Sequence, residues 1–332
     1  RNTYVQHCLG KPYSRDDLQL PEYWPVMQER AFFRLEREVL MGGTKGSAKS
    51  ETGRMLLIAG DPYAPIADPR TNLPNLVALS YVYHPEFYAV VIRQTAKDLD
   101  EWVLRTAPYY IRAFGARWME GRQVFRFPRW DSHGNVIGDD GATIALGHLG
   151  DPRSFEQFFG KQIHRALVEE LIHIRADLYE NLVGCVRSTT PGIRAQIYSN
   201  TNPPAPDTPG EYAQPVYDRF VEPTYRDEKG RVVPVRDAAG LPLHAFEHDG
   251  CTPKYPEVTI KVPVDASVYK RLGMEIPAEP YATRSFIPGR ISDNPYLLQD
   301  PEYIAVLASM PEDSRNALLF GYWNVTGGAY FR

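Results

Sequence analysis

One run constrains this chain more than any other: Gly42-Gly43-Thr44-Lys45-Gly46-Ser47-Ala48-Lys49-Ser50, or GGTKGSAKS. Just upstream, REVLM (residues 37–41) is a short apolar run with a β-branched residue, which reads as a buried strand. Downstream, KSETGRMLLIAG (residues 49–60) reads as a helix that stops at Gly60. Strand, glycine-rich loop and helix in that order make an anion site, because successive backbone N–H groups and the helix N-terminus converge on one point. A lysine then reaches the terminal phosphates of a nucleotide, and a serine or threonine hydroxyl takes a magnesium ion. Gly43, Lys49 and Ser50 have the required spacing, and only the glycine before the lysine is replaced, by Ala48. Alanine adds one methyl group and can take helical dihedrals, so the loop can close. The competing reading is a plain strand-to-helix turn with an exposed lysine.

The surrounding pattern favours an α/β sheet. FYAVVIRQT (87–95), HRALVEEL (164–171) and AQIYSN (195–200) read as strands. AKDLDEWVLRTAPYYIRAFG (96–115) and ADLYENLVGCVR (176–187) read as helices, as does NLVALSYVYH (75–84). RQVFRFP (122–128) and ATIALGHL (142–149) read as hairpin strands with turns over 131–141 between them. The alternation predicts an open, mostly parallel sheet flanked by helices. Beyond Asn202 the texture changes: residues 203–256 are rich in proline and charge, EVTIKVP (257–263) alternates like a strand, and two short helices follow. The expected organisation is an N-terminal extension (1–24), a nucleotide-binding core (25–204) and an insertion with a small lid or linker subdomain (205–332).

Composition excludes several classes. The chain has 332 residues and a net charge of −4, so it is not coated in basic charge for nucleic acid, although a local basic stripe or a basic inner ring surface remains open. No run reaches the roughly 18 apolar residues of a membrane span. Cys8, Cys185 and Cys251 are too scattered for a zinc site or a disulfide framework. Residues 1–4 lack a starting methionine and a signal pattern, and the chain reads as a piece of a cytoplasmic protein. His148, His164 and His173 have no short-spaced partners for zinc, and His173 is expected to pack beneath the acidic pair described next. Phe155, Phe158 and Phe159 are expected in the core.

ATP hydrolysis needs an acidic pair at the end of a second strand, one carboxylate for magnesium and one to orient the attacking water. Glu169 and Glu170 close the apolar run of ALVEEL. A third element is IYSNTNPP (197–204), an apolar strand running into Ser199, Asn200, Thr201 and Asn202 before two prolines. Alone, either could be an ordinary solvated turn.

Taken together, these segments resemble the large terminase subunits of tailed bacteriophages. PVMQERAF (25–32) resembles the family's adenine-contacting glutamine motif and points to Gln28. GGTKGSAKS resembles its phosphate loop, Gly43 through Ser50, in which alanine before the lysine is a familiar variant. VVIRQTAKDL (90–99) resembles its arginine-x-threonine segment, and LVEELIHI (167–174), followed by Tyr179, its acidic stretch. SNTNPP (199–204) resembles the motif that couples the phosphate state to movement. RSFIPGRISDNPYL (284–297) and the run from 300 to 331 resemble the segment closing the ATPase region.

The resemblance implies a P-loop NTPase of the ASCE, RecA-like type with ATP and Mg²⁺ as cofactors. Lys49 and the loop would bind the phosphates, Ser50 and Glu169 the metal, and Glu170 the water. Arg153 is the first candidate for an arginine acting from a neighbouring subunit, ahead of Arg93, Arg126 and Arg129. The partners it implies are double-stranded DNA, a portal protein, a small terminase subunit and further copies in a ring, expected to be a pentamer; no membrane is expected. The expected location is the infected host's cytoplasm rather than the mature virion. Two departures stand out: Glu169 occupies the usual aspartate position, and Lys45 stands where many relatives carry arginine. A C-terminal nuclease domain is expected only of a full-length protein. The rival readings are a helicase-like nucleic-acid ATPase and a scaffold module with a degenerate loop.

Overall fold

The structure is a computed structural model that describes residues 26–65, 67, 73, 75–205, 208–247, 258–278, 280–294 and 296–323. The expected N-terminal extension, Cys8, Cys251 and the last residues of the closing run lie outside these. In chain order the main elements are α1 (Val26–Phe32), β1 (Glu38–Gly43), α2 (Lys49–Ile58), β2 (Tyr88–Arg93), α3 (Asp98–Phe114), β3 (Arg117–Met119), β4 (Val124–Arg126), β5 (Arg129–Trp130), β6 (Val136–Gly138), β7 (Thr143–His148), β8 (Arg165–Glu169), α4 (Ala176–Cys185), β9 (Gln196–Thr201), β10 (Thr224–Arg226), β11 (Val232–Pro234), β12 (Val258–Pro263), β13 (Tyr281–Gly289) and α5 (Pro301–Ala308). They fall into two compact units, Arg1–Phe33 with Ala48–Asn200, and Arg34–Ser47 with Thr201–Arg332.

In the first unit the strand order is β9-β8-β2-β7-β4-β3. The first four run parallel, and β4 and β3 close the edge antiparallel. Every residue of β8 is buried, as expected of a parallel strand covered on both faces. The register sets Glu169 opposite Asn200. Helix α2 approaches closely because Gly53 has no side chain: a Cβ there would stand 2.6 Å from Leu167 Cδ1. Arg165, at the start of β8 and only 2 % exposed, donates to the carbonyls of Leu56 and Ala59 at the far end of α2 and to Gln196 Oε1. Its guanidinium stacks over Tyr81, 4.4 Å from the ring centroid. One buried cation thereby ties the end of the loop's helix to the base of the acidic strand.

Two sequence expectations for this unit need correction. Residues 75–84 are not one helix: a short helix covers Leu76–Leu79, Ser80 is extended, and a 3-10 turn covers Tyr81–Tyr83. The break occurs because Ser80 Oγ donates to Ile58 O at 2.6 Å, pinning the chain to the end of α2. Residues 131–141 are not turns alone: β5 and β6 pair there as a small ribbon. The Asp131 carboxylate closes its tip by accepting from the backbone N–H groups of His133 and Asn135.

In the second unit β1 pairs in parallel with β13, which pairs antiparallel with β12. Glu38 opens β1 nearly buried and accepts from Arg219, at 2.8 and 3.0 Å, and from Arg284, at 3.0 Å. At the other end of β1 a Cβ on Gly43 would lie 2.0 Å from Gly289 O, so only glycine fits. The closing helical turn Asn316–Phe320 ends at Gly321, in the left-handed conformation expected of a helix stop.

Candidate nucleotide site

The glycine-rich loop is held from its own unit by groups far along the chain. Thr44 N–H donates to Gly289 O, and Lys45 N–H to Leu318 O, both at 2.9 Å. Asn294 Nδ2 donates to Gly46 O at 2.7 Å, and Ser47 Oγ to Thr44 O at 3.0 Å. Gly46 needs its positive φ of 85°, and a Cβ there would meet Leu297 Cδ1 at 2.3 Å. Thr44 and Ser47 are fully buried, whereas the Lys45 side chain is exposed. Nothing in the structure gives Lys45 the bidentate geometry of an arginine.

Ala48 departs from expectation. It does not take right-handed helical dihedrals but sits in the left-handed region, φ 66° and ψ 21°, as the N-cap of α2. There the Cβ of an L-residue crowds the following carbonyl, which costs roughly 1–2 kcal/mol. The glycine that usually fills this position would avoid that strain, and Ala48 carries it.

Lys49 begins α2 with 8 % of its surface exposed. Burial pushes its ammonium down to a pKa of about 8, against the opposing pull of Glu170 and Glu169. Ser50, one residue on, is exposed. The acidic pair comes to this lysine at the end of β8. Glu169 is 1 % exposed and both its oxygens are engaged: Arg93 Nη2 donates to Oε2 at 2.6 Å, and Asn200 Nδ2 to Oε1 at 3.2 Å. Glu170 leaves the strand in the left-handed conformation, φ 56°, and its N–H donates to Asn200 Oδ1 at 3.2 Å. A single amide, Asn200, therefore braces both acidic residues. Strain of this kind in a non-glycine residue persists only where surrounding groups hold it. Beside Asn200, Ser199 Oγ lies 3.4 Å from the buried Tyr179 hydroxyl.

The structure brings Lys49, Glu169, Glu170 and Asn200 together. Thr201 closes β9 and is buried, and its hydroxyl donates to the carbonyl of Asn202. Gln28 lies on α1, 5 % exposed. Arg153 is exposed, immediately before the 3-10 turn Ser154–Phe158. Two expectations fail. His173 does not pack beneath the acidic pair: it is the exposed last residue of a 3-10 turn whose Leu171 and Ile172 are buried, and the buried ring nearby is Tyr179. Phe155 and Phe158 are core, but Phe159 is 64 % exposed because the turn ends at Phe158. Sequence reasoning missed Asn294 and Leu318 as loop supports and Arg93 as the partner of Glu169. Only the arginine had a signal, its place at the end of a strong strand.

Among the described residues no group of three or more His, Cys, Asp or Glu is arranged to hold a metal alone. Ser50 and Glu169 offer oxygen donors, the kind Mg²⁺ takes when substrate phosphates complete its shell, so the residues fit that ion. No helix among the described residues is long and apolar enough to cross a membrane.

Strand, glycine-rich loop and lysine-led helix, with an acidic pair ending a parallel strand, are the parts of a P-loop NTPase. The large terminase of a thermophilic bacteriophage, solved in complex with ADP, aligns with a TM-score of 0.49 at 8% identity over 91% of this chain and 53% of that one. The chain thus spans about half the length of that relative. The large terminase ATPase domain of Thermus phage P74-26 aligns with a TM-score of 0.49 at 9% identity, covering 95% of this chain and 100% of that domain. The large terminase of bacteriophage HK97 aligns with a TM-score of 0.34 at 9% identity, over 63% and 39% of the two chains. No curated protein matches the sequence. Residues 77–332, more than half of the chain, match the family described as terminase large subunit, T4likevirus-type, N-terminal. The chain belongs to the large terminase subunit family.

Proposed function

We propose that this chain is the ATP-hydrolysing part of a viral packaging motor that drives double-stranded DNA into a procapsid. One observation carries the reading: Lys49 lies in the field of Glu169 and Glu170, and Asn200 is bonded to both acidic residues. Lys49 and the backbone amides of Gly46 through Ala48 hold the phosphates, the Thr44 and Lys45 amides being engaged by Gly289 and Leu318, and Gln28 contacts the adenine. Ser50 and Glu169 hold Mg²⁺, which when bound neutralises charge on the phosphate oxygens. Glu170 orients the water that attacks the terminal phosphate.

Ser199, Asn200, Thr201 and Asn202 couple hydrolysis to movement. Asn200 supplies the route, since a shift of β9 changes the support of both carboxylates at once. Arg153 acts from a neighbouring copy in a ring. The portal protein, the small terminase subunit and the host cytoplasm are the setting for this role, and DNA cutting belongs to a nuclease domain of the full-length subunit.

The test is packaging with the full-length subunit, procapsids and the small subunit, read as DNA protected from nuclease. Lys49→Met should abolish protection while leaving the subunit folded. Protection at the unmodified level would overturn the proposal.

A further inference from the structure

The acceptor capacity of Glu169 is nearly filled by protein donors. A carboxylate offers about four lone-pair positions. Arg93 engages Oε2 twice, through Nε at 3.2 Å and Nη2 at 2.6 Å. Asn200 Nδ2 takes a third position, on Oε1 at 3.2 Å. One position is left, on a carboxylate that is 1 % exposed and already carries a fixed positive partner.

The sheet sets this arrangement. Strands β2 and β8 run side by side with Ile92 opposite Val168, so the next residue of each, Arg93 and Glu169, leave the sheet together. On the other flank β9 sets Asn200 opposite Glu169. Glu169 is thus held between a guanidinium from one neighbouring strand and an amide from the other. The two partners differ in kind: the amide is neutral, whereas a guanidinium stays charged at any pH a protein meets.

We propose that Arg93 is a latch on Glu169 that competes with Mg²⁺ for this carboxylate, an inference that rests on reading Glu169 as a ligand of that ion. Whether the ion takes Glu169 directly or through a bound water, it needs a free acceptor position, and it is repelled by a guanidinium on the same group. Release does not strand the arginine. Its side chain is 21 % exposed, and Glu170 and Asp98 already lie in its field. Arg93 is therefore a positioning residue that acts within its own chain, and it sets how readily the site accepts a metal–nucleotide complex.

The test uses Mn²⁺, which takes the same oxygen ligands as Mg²⁺, and reads its binding by electron paramagnetic resonance in saturating ADP. The chain is compared with Arg93→Gln and Glu169→Gln. Arg93→Gln should tighten Mn²⁺ binding about tenfold to a hundredfold, the scale of one charge-assisted bond no longer opposing the ion. A merely structural role would not tighten it. Unchanged binding in Arg93→Gln would overturn the proposal, and weaker binding would overturn it by making Arg93 a support for the metal geometry. If Arg93→Gln does not fold, the unmodified chain decides through the Arg93 Nε–H signal in nuclear magnetic resonance, identified by its loss in Arg93→Lys. That proton should lose its protection from exchange when Mg-ADP replaces ADP, and retained protection would overturn the proposal. Glu169→Gln separates the two readings. Unaltered Mn²⁺ affinity in that variant would sink the metal reading of Glu169 and the latch with it. Weakened affinity there, beside an unchanged Arg93→Gln, would sink the latch alone.

Discussion

Lys49 makes nucleotide binding a proton-linked event. Its pKa in the free protein is about 8, with burial the leading cause. From the ordinary lysine value, about 10.4, the fraction neutral at pH 7 would be negligible; with a pKa of about 8 it is about a tenth at pH 7, about half at pH 8 and about nine-tenths at pH 9. Bound phosphates restore the charge, so binding should take up a proton in those proportions. Above pH 8 the affinity should fall, approaching tenfold per pH unit, or about 1.4 kcal/mol. Calorimetry of Mg-ADP binding in two buffers of different ionisation enthalpy, at pH 8 and 9, reads the uptake directly. The phosphates titrate near pH 6 and are already ionised there. Lys49→Met should bind more weakly and show no uptake. The same shift has a sign for stability: the unfolded chain holds the proton between pH 8 and about 10.4 and the folded one does not, so the unliganded protein should gain stability as pH rises through that window. Relief of the shift is worth about 3 kcal/mol, which Lys49→Met should recover at pH 7. Flat affinity and no proton uptake at pH 9 would refute the reasoning.

Two further outcomes follow from the strain and charge in the fold. Ala48→Gly removes left-handed strain of roughly 1–2 kcal/mol but adds about 0.4–1 kcal/mol of unfolded-state entropy. It should therefore stabilise the chain by about 0.5–1 kcal/mol in urea unfolding, and a clear loss of stability would contradict the Ala48 geometry. Burial alone would raise the Glu38 carboxyl, yet Arg219 and Arg284 outweigh it and hold the group below its ordinary value. Its contribution is thus complete above the unfolded pKa of about 4.3 and lost as pH falls through the lower folded value. Glu38→Gln should lower stability at pH 7 and flatten the acid limb of the stability curve; an unchanged acid limb would contradict this.

The parts of the site that read plainly from the sequence lie on strongly patterned segments. The continuous apolar runs of β2 and β8 announce buried parallel strands, and Glu169 and Glu170 follow at the end of one of them. Local conformations were harder to read. Nothing in the run GSAKS distinguishes a right-handed Ala48 from a left-handed one, and nothing in VEEL shows that Glu170 turns left-handed, because neighbours distant in sequence hold each in place. Asn200 was legible as part of a polar stretch, but not as the amide that braces two carboxylates, which depends on the β8–β9 register. The supports of the loop, Gly289, Asn294 and Leu318, lie more than 240 residues beyond it, and short-range patterning carries no such information. His173 and Phe159 failed for a related reason: His173 ends a 3-10 turn and Phe159 follows one directly, and in both cases the side chain at that change of direction faces solvent while the residue before it is buried.

The central claim is that Glu170 is needed for the chemical step and not for holding the nucleotide. The measurement that tests it most directly sets the ATP dissociation constant beside the single-turnover rate of phosphate release, for the chain and for Glu170→Gln. The expected result is an affinity within a few-fold of the unmodified chain and a hydrolysis rate at least about a hundredfold lower, the scale of a lost general-base contribution. Hydrolysis at the unmodified rate in Glu170→Gln would contradict the account.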